Sequence, residues 1–458
     1  MATQNYRKRG GLITIFMMVI WMLAVVKFIP LSNMVSDQSI AVFSVCLQFF
    51  LMLFFISGYA APAFVSKWIA LRVSRGQYKN AKRVFCYSLI TSLVLNTIIG
   101  IIFFFLAEAY ADTFVHVSYG IYVMKCMAVA FPIYGMITVF NGYFQGMGTM
   151  LPTCVSGILE QVISLIMSLI IGKALHNYGT KIAALLQEEN YIYAYSAIGI
   201  VLGMIIGAIF SLSFLVFVYF VYQRSFKKNF VKDTTKNLES QGELTVQFLT
   251  YILPNALPAV ILFAGMWLNQ KLYFSYVFAS GSLKDALVSY GVFYGRYQVL
   301  IFIPVIFLVT ACYFLTPVVE KLKSREAYYQ LRQEFQDGMK QIMILGGALS
   351  LGYTILSGVL GGLFGKNSSE LLSKQLLIGG FAILFYALAV YTSAFVRGLS
   401  IPVLSYVSWL GCLLFQSILV YVLLTVAQLG IIAIVIGFFT YPLFIFVANY
   451  LLVRKELY

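Results

Sequence analysis

Long apolar runs separated by short polar segments dominate this chain. Placing them gives twelve candidate spans, at about 11 to 30, 39 to 64, 84 to 106, 124 to 144, 151 to 173, 192 to 222, 247 to 270, 288 to 318, 341 to 364, 375 to 396, 401 to 424 and 428 to 453. Each is about twenty residues or longer and none alternates with period two, so the pattern predicts membrane-crossing α-helices and not barrel strands. Spans 3, 6, 11 and 12 are nearly pure Leu, Ile, Val and Phe, which suits lipid contact or simple packing.

The other spans carry interruptions. Around the stretch 140 to 161, Gly142, Gly146 and Gly148 end one run and Pro152 opens the next, the usual order of helix stop and helix start. Thr153, Ser156, Glu160, Ser164 and Ser168 then recur at spacings of three and four, which puts them on one face. Glu160 falls roughly 12 Å along this helix, near the middle of a hydrocarbon layer about 30 Å thick. A carboxylate at that depth calls for a partner or a wet cavity. Span 7 holds Pro254 and Pro258, with Asn255 and Asn269 fourteen residues apart, and reads as a bent helix with a polar seam. Span 8 places Arg296 and Gln298 before Pro304, whose missing N–H leaves a carbonyl to be satisfied elsewhere.

Landmarks recur at a fixed offset. Pro62 and Lys67 are matched by Pro317 and Lys321, Tyr78 to Phe85 by Tyr328 to Phe335, and Phe144-Gln145-Gly146-Met147 before Pro152 by Val396-Arg397-Gly398-Leu399 before Pro402. The offsets are 250 to 255 residues and the order is kept, which argues for a parallel internal duplication. The expectation is an all-α polytopic protein of two pseudo-symmetric six-helix lobes, 1–222 and 247–458, joined by a polar cytoplasmic loop, 223–246, around a central cavity.

Composition agrees with this layout: 61% of the 458 residues are hydrophobic, 10% are charged and the mean hydropathy is +0.90. The net charge of +15 raises nucleic acid as a partner, but with the N-terminus inside, 22 of the 31 Lys and Arg residues fall in cytoplasmic segments. That asymmetry is the topology signal of a multi-pass protein of the cytoplasmic membrane with both termini inside, and it leaves nucleic acid unneeded. Arg7 to Arg9 followed by a long run reads as an uncleaved first span. Six cysteines stand singly in apolar runs and the two histidines, His116 and His176, lie in outer loops, so neither a metal site nor a catalytic triad is indicated. No phosphate-binding glycine loop or paired-Asp motif is present, so no cofactor and no enzymatic activity is expected.

The candidate chemistry is therefore a short set of intramembrane polar groups. Glu160, the one acid deep in a span, is read as a coupling or gating group or as a carboxylate paired to an inward-facing base, with Gln161, Asn255 and Asn269 as companions. Lys27, Lys271 and Arg296 sit near or inside the outer halves of spans 1, 7 and 8. Snorkelling to the interface is the competing reading for the two lysines. Arg296 lies roughly 12 Å inside the boundary, and its planar fork suits a diphosphate. More interior cations than anions favours an anionic cargo. Gly142, Gly146, Pro152, Pro254, Pro258, Pro304, Gly398 and Pro402 are the candidate hinges or helix breaks.

One family carries the same motifs in the same order. Lys27-Phe28-Ile29-Pro30-Leu31, Ile56-Ser57-Gly58 with Pro62 and Ser66-Lys67, Gly76, Tyr78, Ala81, Arg83 to Phe85, Gly142-Tyr143-Phe144-Gln145-Gly146, Met150, Pro152-Thr153, Ser156, Glu160-Gln161, Tyr290-Gly291, Gly295, Gln298 and Pro304 are the matching positions. The chain resembles the polysaccharide transporter branch of the multidrug/oligosaccharidyl-lipid/polysaccharide exporter superfamily, in the group of stage V sporulation protein B and MviN-like lipid II flippases. The resemblance implies an alternating-access carrier that moves a polyprenyl-pyrophosphate-linked saccharide, a cell-wall or surface-polysaccharide precursor, to the outer leaflet. It also implies that cationic side chains, here Lys27 and Arg296, meet the pyrophosphate. Lys27 stands where the group usually has arginine, and Asn141 and Asn269 replace a usual base and a usual acid. The expected partners are the lipid-linked saccharide, anionic membrane lipids and H+ or Na+ as coupling ion, for a monomer. The alternative function is an ion-coupled multidrug exporter of amphiphilic cations.

Overall fold

The computed structural model describes residues 2–226, 233–235, 237–280, 283–310, 312 and 315–457. Lys227, Lys228, Lys232 and Lys236 of the inter-lobe segment lie outside the described residues. The described chain is built from nineteen α-helices with short π and 3-10 turns, and no strand occurs among the described residues. Among the described residues, ten helices are long and apolar enough to cross a membrane, or eleven when a pair bent by 68° is counted as one span. Residues group into two compact units, Met1–Leu23 with Val45–Phe263, and Ala24–Ser44 with Ala264–Tyr458.

The first unit contains most of α1 (Ala2–Val26), the later part of α3 (Asp37–Gly58), and α4 (Ala61–Ser74), α5 (Tyr78–Glu108), α6 (Gly120–Met127), α7 (Ala130–Gly146), α8 (Leu151–Leu186), α9 (Asn190–Phe226) and the first part of α10 (Gln241–Ser280). Its core is aromatic, with Phe64, Phe85, Phe140, Phe144 and Phe248 buried together. Below that core the polar linker is fastened down. Arg72 grips the Glu239 carboxylate with Nε and Nη2 at 2.9–3.1 Å. Arg83 donates to the Glu239 carbonyl at 2.6 Å, and Asn80 donates to the Asn237 carbonyl at 3.0 Å and accepts from the Glu239 N–H.

The second unit holds α2 (Phe28–Met34), the first turns of α3, the end of α10, then α11 (Leu283–Val292), α12 (Gln298–Thr310), α13 (Leu315–Ser324), α14 (Tyr328–Ile355), α15 (Ser357–Gly365), α16 (Ser369–Gly379), α17 (Ala382–Gly398), α18 (Pro402–Thr425) and α19 (Ile431–Leu457). The expected spans at 341 to 364 and 375 to 396 take a different form here. The chain bends after Ile355, and α15 and α16 fold as a hairpin before the 17-residue α17. Glycines let the hairpin close. They weaken the helix at 358–365, and Gly361 and Gly365 have no room for a Cβ clear of Ser369 and Ser373, so small residues let the two helices touch.

The duplicated landmarks share backbone geometry as well as sequence. After α4, Gly76 takes φ +72° and Gln77 N–H returns to the Arg72 carbonyl at 2.8 Å. At an offset of 250, after α13, Glu326 takes φ +56° and Ala327 N–H returns to the Leu322 carbonyl at 3.0 Å. Gly148 (φ +81°) and Ser400 (φ +58°) repeat the pattern after α7 and α17. Such left-handed stops satisfy the last helical carbonyls.

Candidate functional site

The polar groups singled out in the sequence occupy several environments. In the first unit, Glu160 is half-buried on α8; its carboxylate accepts from the Tyr134 hydroxyl of α7 at 3.1 Å and from the Gln161 amide at 3.2 Å. The serines sharing its face do not line a cavity. Ser164 and Ser168 are buried against Gly203 and Gly207 of α9, Ser168 donates to the Ile200 carbonyl at 3.0 Å, and a Cβ on Gly207 would lie 2.7 Å from the Glu160 carbonyl oxygen. The stripe is a close-packing seam in which small residues bring two helix backbones together. Span 6, whose composition suits lipid contact or simple packing, supplies the other side of it through Gly199, Gly203 and Gly207.

The candidate breaks sort in the same way. Gly142 lies inside α7 and Gly146 is its last residue; a Cβ there would meet Pro62 and Val65, or Ser66 and Ile69, of α4 at 2.7–3.0 Å. Gly398 makes the equivalent approach to Thr316 and Val319 of α13. Gly142 is a contact glycine within α7, whereas Gly146 and Gly398 make such contacts and are also the last residues of α7 and α17. The stop after α7 belongs to Gly148, and Pro152 and Pro402 stand in the first turns of α8 and α18. Pro254, Pro258 and Pro304 lie within helices that continue through them. Asn255 and Asn269 do not form a seam. Asn255 is exposed and donates to its own helix at the Tyr251 carbonyl, whereas Asn269 is buried and accepts from Gln416 at 2.6 Å.

Arg296 is the centre of the best-built polar cluster. Gly291 and Gly295 let α11 and the π-helical turn Phe293–Tyr297 press on Asp37, Ile40 and Ser32, since a Cβ at Gly291 would collide with the Asp37 carbonyl. The guanidinium is thereby delivered to the turn between α2 and α3. Its Nε pairs with Asp37 Oδ1 at 3.1 Å, Nη1 donates to Asn33 Oδ1 at 3.0 Å and to the Phe364 carbonyl, and Nη2 donates to the Ser32 carbonyl at 3.2 Å. Ser368 donates to the other Asp37 oxygen at 3.0 Å, and Lys366 donates to the Asn33 carbonyl at 3.2 Å. With 4% of its side chain exposed, Arg296 in this conformation is a protein clamp and has almost no donor left for a diphosphate.

Asp37 was missed because it falls in a loop by position, yet it is the only acid before Glu108 and opens a helix whose first turn Ser36 caps. That isolation was the available signal. Lys27 lies at the break between α1 and α2, half-buried, with its ammonium 5.9 Å from the Phe28 ring centroid. Lys271 is half-buried on α10. Among the described residues no group of three His, Cys, Asp or Glu side chains is placed to hold a metal.

Comparisons with known proteins give a family and, separately, a fold. The polysaccharide biosynthesis protein family matches residues 7–323. Stage V sporulation protein B of Bacillus subtilis (strain 168) is 23% identical over 354 residues, covering 76% of this chain and 64% of that protein. Lipid II flippase MurJ of the same organism is 28% identical over 156 residues, 31% of this chain and 28% of the flippase. The match thus spans less than two thirds of either relative. Two solved structures of a multidrug resistance MATE family transporter of the MOP superfamily share the fold. The inward-facing one aligns with a TM-score of 0.76 at 14% identity, covering 96% of this chain and 94% of that one. The outward-facing one aligns at 0.65 and 16% identity, covering 97% and 94%. With the family matched over well more than half its length and ten apolar helices long enough to cross a membrane among the described residues, this chain is a multi-pass membrane protein that belongs to the polysaccharide biosynthesis protein family.

Proposed function

We propose that the protein is a flippase that moves a polyprenyl-pyrophosphate-linked saccharide across the cytoplasmic membrane by alternating access, without covalent catalysis. The family match over residues 7–323, with one relative named as a lipid II flippase, carries this reading. Lys27 is the proposed pyrophosphate ligand. It stands at the break between α1 and α2, about one turn before the stretch that Arg296 holds. Arg296 takes a positioning role, fixing the α2–α3 turn through Asp37 and Asn33. Glu160, hydrogen-bonded to Tyr134, is the proposed group that couples the cycle to H+ or Na+. Purified protein in vesicles, given a fluorescent polyprenyl-pyrophosphate oligosaccharide, tests it. Lys27→Ala lowers flipping about tenfold or more, the worth of one charge-assisted contact, and Lys27→Arg retains most of it.

The second reading, ion-coupled export of amphiphilic cations, is favoured by the fold shared with multidrug transporters and by a half-buried carboxylate on α8. Cation efflux abolished by Glu160→Gln, in protein that moves no lipid-linked saccharide, would replace the first reading with this one.

A further inference from the structure

We propose that a groove between α14 and α19 is a binding site for an anionic phospholipid of the surrounding membrane. The groove is a cavity of about 670 Å³ whose walls include Phe335, Met339, Lys340 and Met343 from α14, and Tyr450 and Arg454 from α19. Its floor is apolar: Phe335 is buried and its ring stacks on Tyr450 with centroids 6.0 Å apart. The lower ends of the two helices are tied by Arg332, which donates to the Leu457 carbonyl. Above that tie the helices leave the hollow open.

Charge marks what fills it. Both cations on the walls are exposed, and neither makes an ion pair or hydrogen bond among the described residues. No carboxylate is on the walls, although Glu334, Asp337 and Glu456 lie on the same helices. The two cations also sit at matching depth. Lys340 is the last charged residue before an uncharged run at 341–365, and Arg454 is the first after one at 398–453. Each therefore stands where hydrocarbon gives way to headgroup, with Met343 and Tyr450 on the hydrocarbon side. A lipid phosphate between Lys340 and Arg454 gains two charge-assisted contacts, while its acyl chains cover exposed Met343. Methionine suits such chains because its thioether adapts to them.

Native mass spectrometry of the detergent-purified full chain, with phosphatidylglycerol or phosphatidylethanolamine added, tests this. Phosphatidylglycerol is expected to remain bound at activation energies that strip phosphatidylethanolamine. The Lys340→Gln/Arg454→Gln protein is expected to hold it about tenfold more weakly. Met343→Trp, which keeps both charges and fills the apolar half, is expected to weaken it as well. Equal retention of the two lipids overturns the proposal, as does retention unchanged in the double variant. Displacement of phosphatidylglycerol by a polyprenyl pyrophosphate at equal concentration also overturns it, and would assign the groove to the transported lipid. All of these readouts are independent of flipping.

Discussion

Glu326 holds a left-handed backbone that its counterpart Gly76 adopts without a Cβ to crowd it. Glu326 is exposed and its side chain is not needed for the stop after α13, so Glu326→Gly is expected to raise stability by about 0.5–1 kcal/mol. Gly76→Ala is expected to lower it by a similar amount, because a Cβ there is strained and would press on Thr234 Oγ1 at 3.0 Å. Thermal unfolding in detergent, followed by tryptophan fluorescence, reads both signs. Asp37 and Arg296 make a stronger test. Truncating one partner of a buried pair leaves the other charged and unpaired, so Asp37→Ala should cost about 3–5 kcal/mol. Arg296→Met in the same chain should recover much of that loss, since the uncompensated charge is then gone. Additive losses in the double variant would mean that the two side chains act separately. The clamp was half legible in the sequence: Arg296 in the middle of an apolar run announces a buried charge, but its acid is 259 positions away, and only folding brings the two within 3.1 Å.

Between helices, the seam of α8 and α9 shows how far periodicity carries and where it stops. The spacing of Ser156, Glu160, Ser164 and Ser168 correctly puts them on one side of α8, yet polar and small residues look alike in such a pattern. Burial separates them: Ser164 and Ser168 pack on glycine backbone while the Glu160 carboxylate turns to Tyr134. The partner signal was the four-residue spacing of Gly199, Gly203 and Gly207, which hydropathy alone passes over. Gly203→Leu is expected to push α9 off α8, because a Cβ there already collides with the Ser168 backbone. Overpacking of a flexible core costs about 1–3 kcal/mol, and here backbone has to give way, so loss of monodisperse protein on size exclusion is the expected outcome. No such collision attends Gly347 or Gly352 of α14, which face open space and should accept alanine with little change.

For the whole molecule, hydropathy delivered the class and the duplication delivered the repeated helix stops, because both are written in local chemistry that every turn of chain repeats. The count of spans was less accessible. Runs at 341 to 364 and 375 to 396 are apolar enough to cross, but the chain bends by 68° at Leu356, where neither Gly nor Pro marks the break in the sequence. Orientation follows from charge, and the length of α8 turns it into a measurement. Its 36 residues extend roughly 54 Å, far beyond a hydrocarbon layer of about 30 Å, so one end projects into water. Basic residues should mark the cytoplasmic side, and Lys321, Lys323, Arg325 and Arg332 cluster about the exposed Tyr329, whereas Leu185, 78% exposed, ends α8 at the far end from Pro152. In a chain with the six native cysteines replaced, Leu185→Cys is expected to react with an impermeant maleimide on intact cells. Tyr329→Cys should react only after the membrane is opened. The reverse pattern would place both termini outside, put Lys27 in the half of the membrane nearer the cytoplasm, and remove the direction of transport proposed for it.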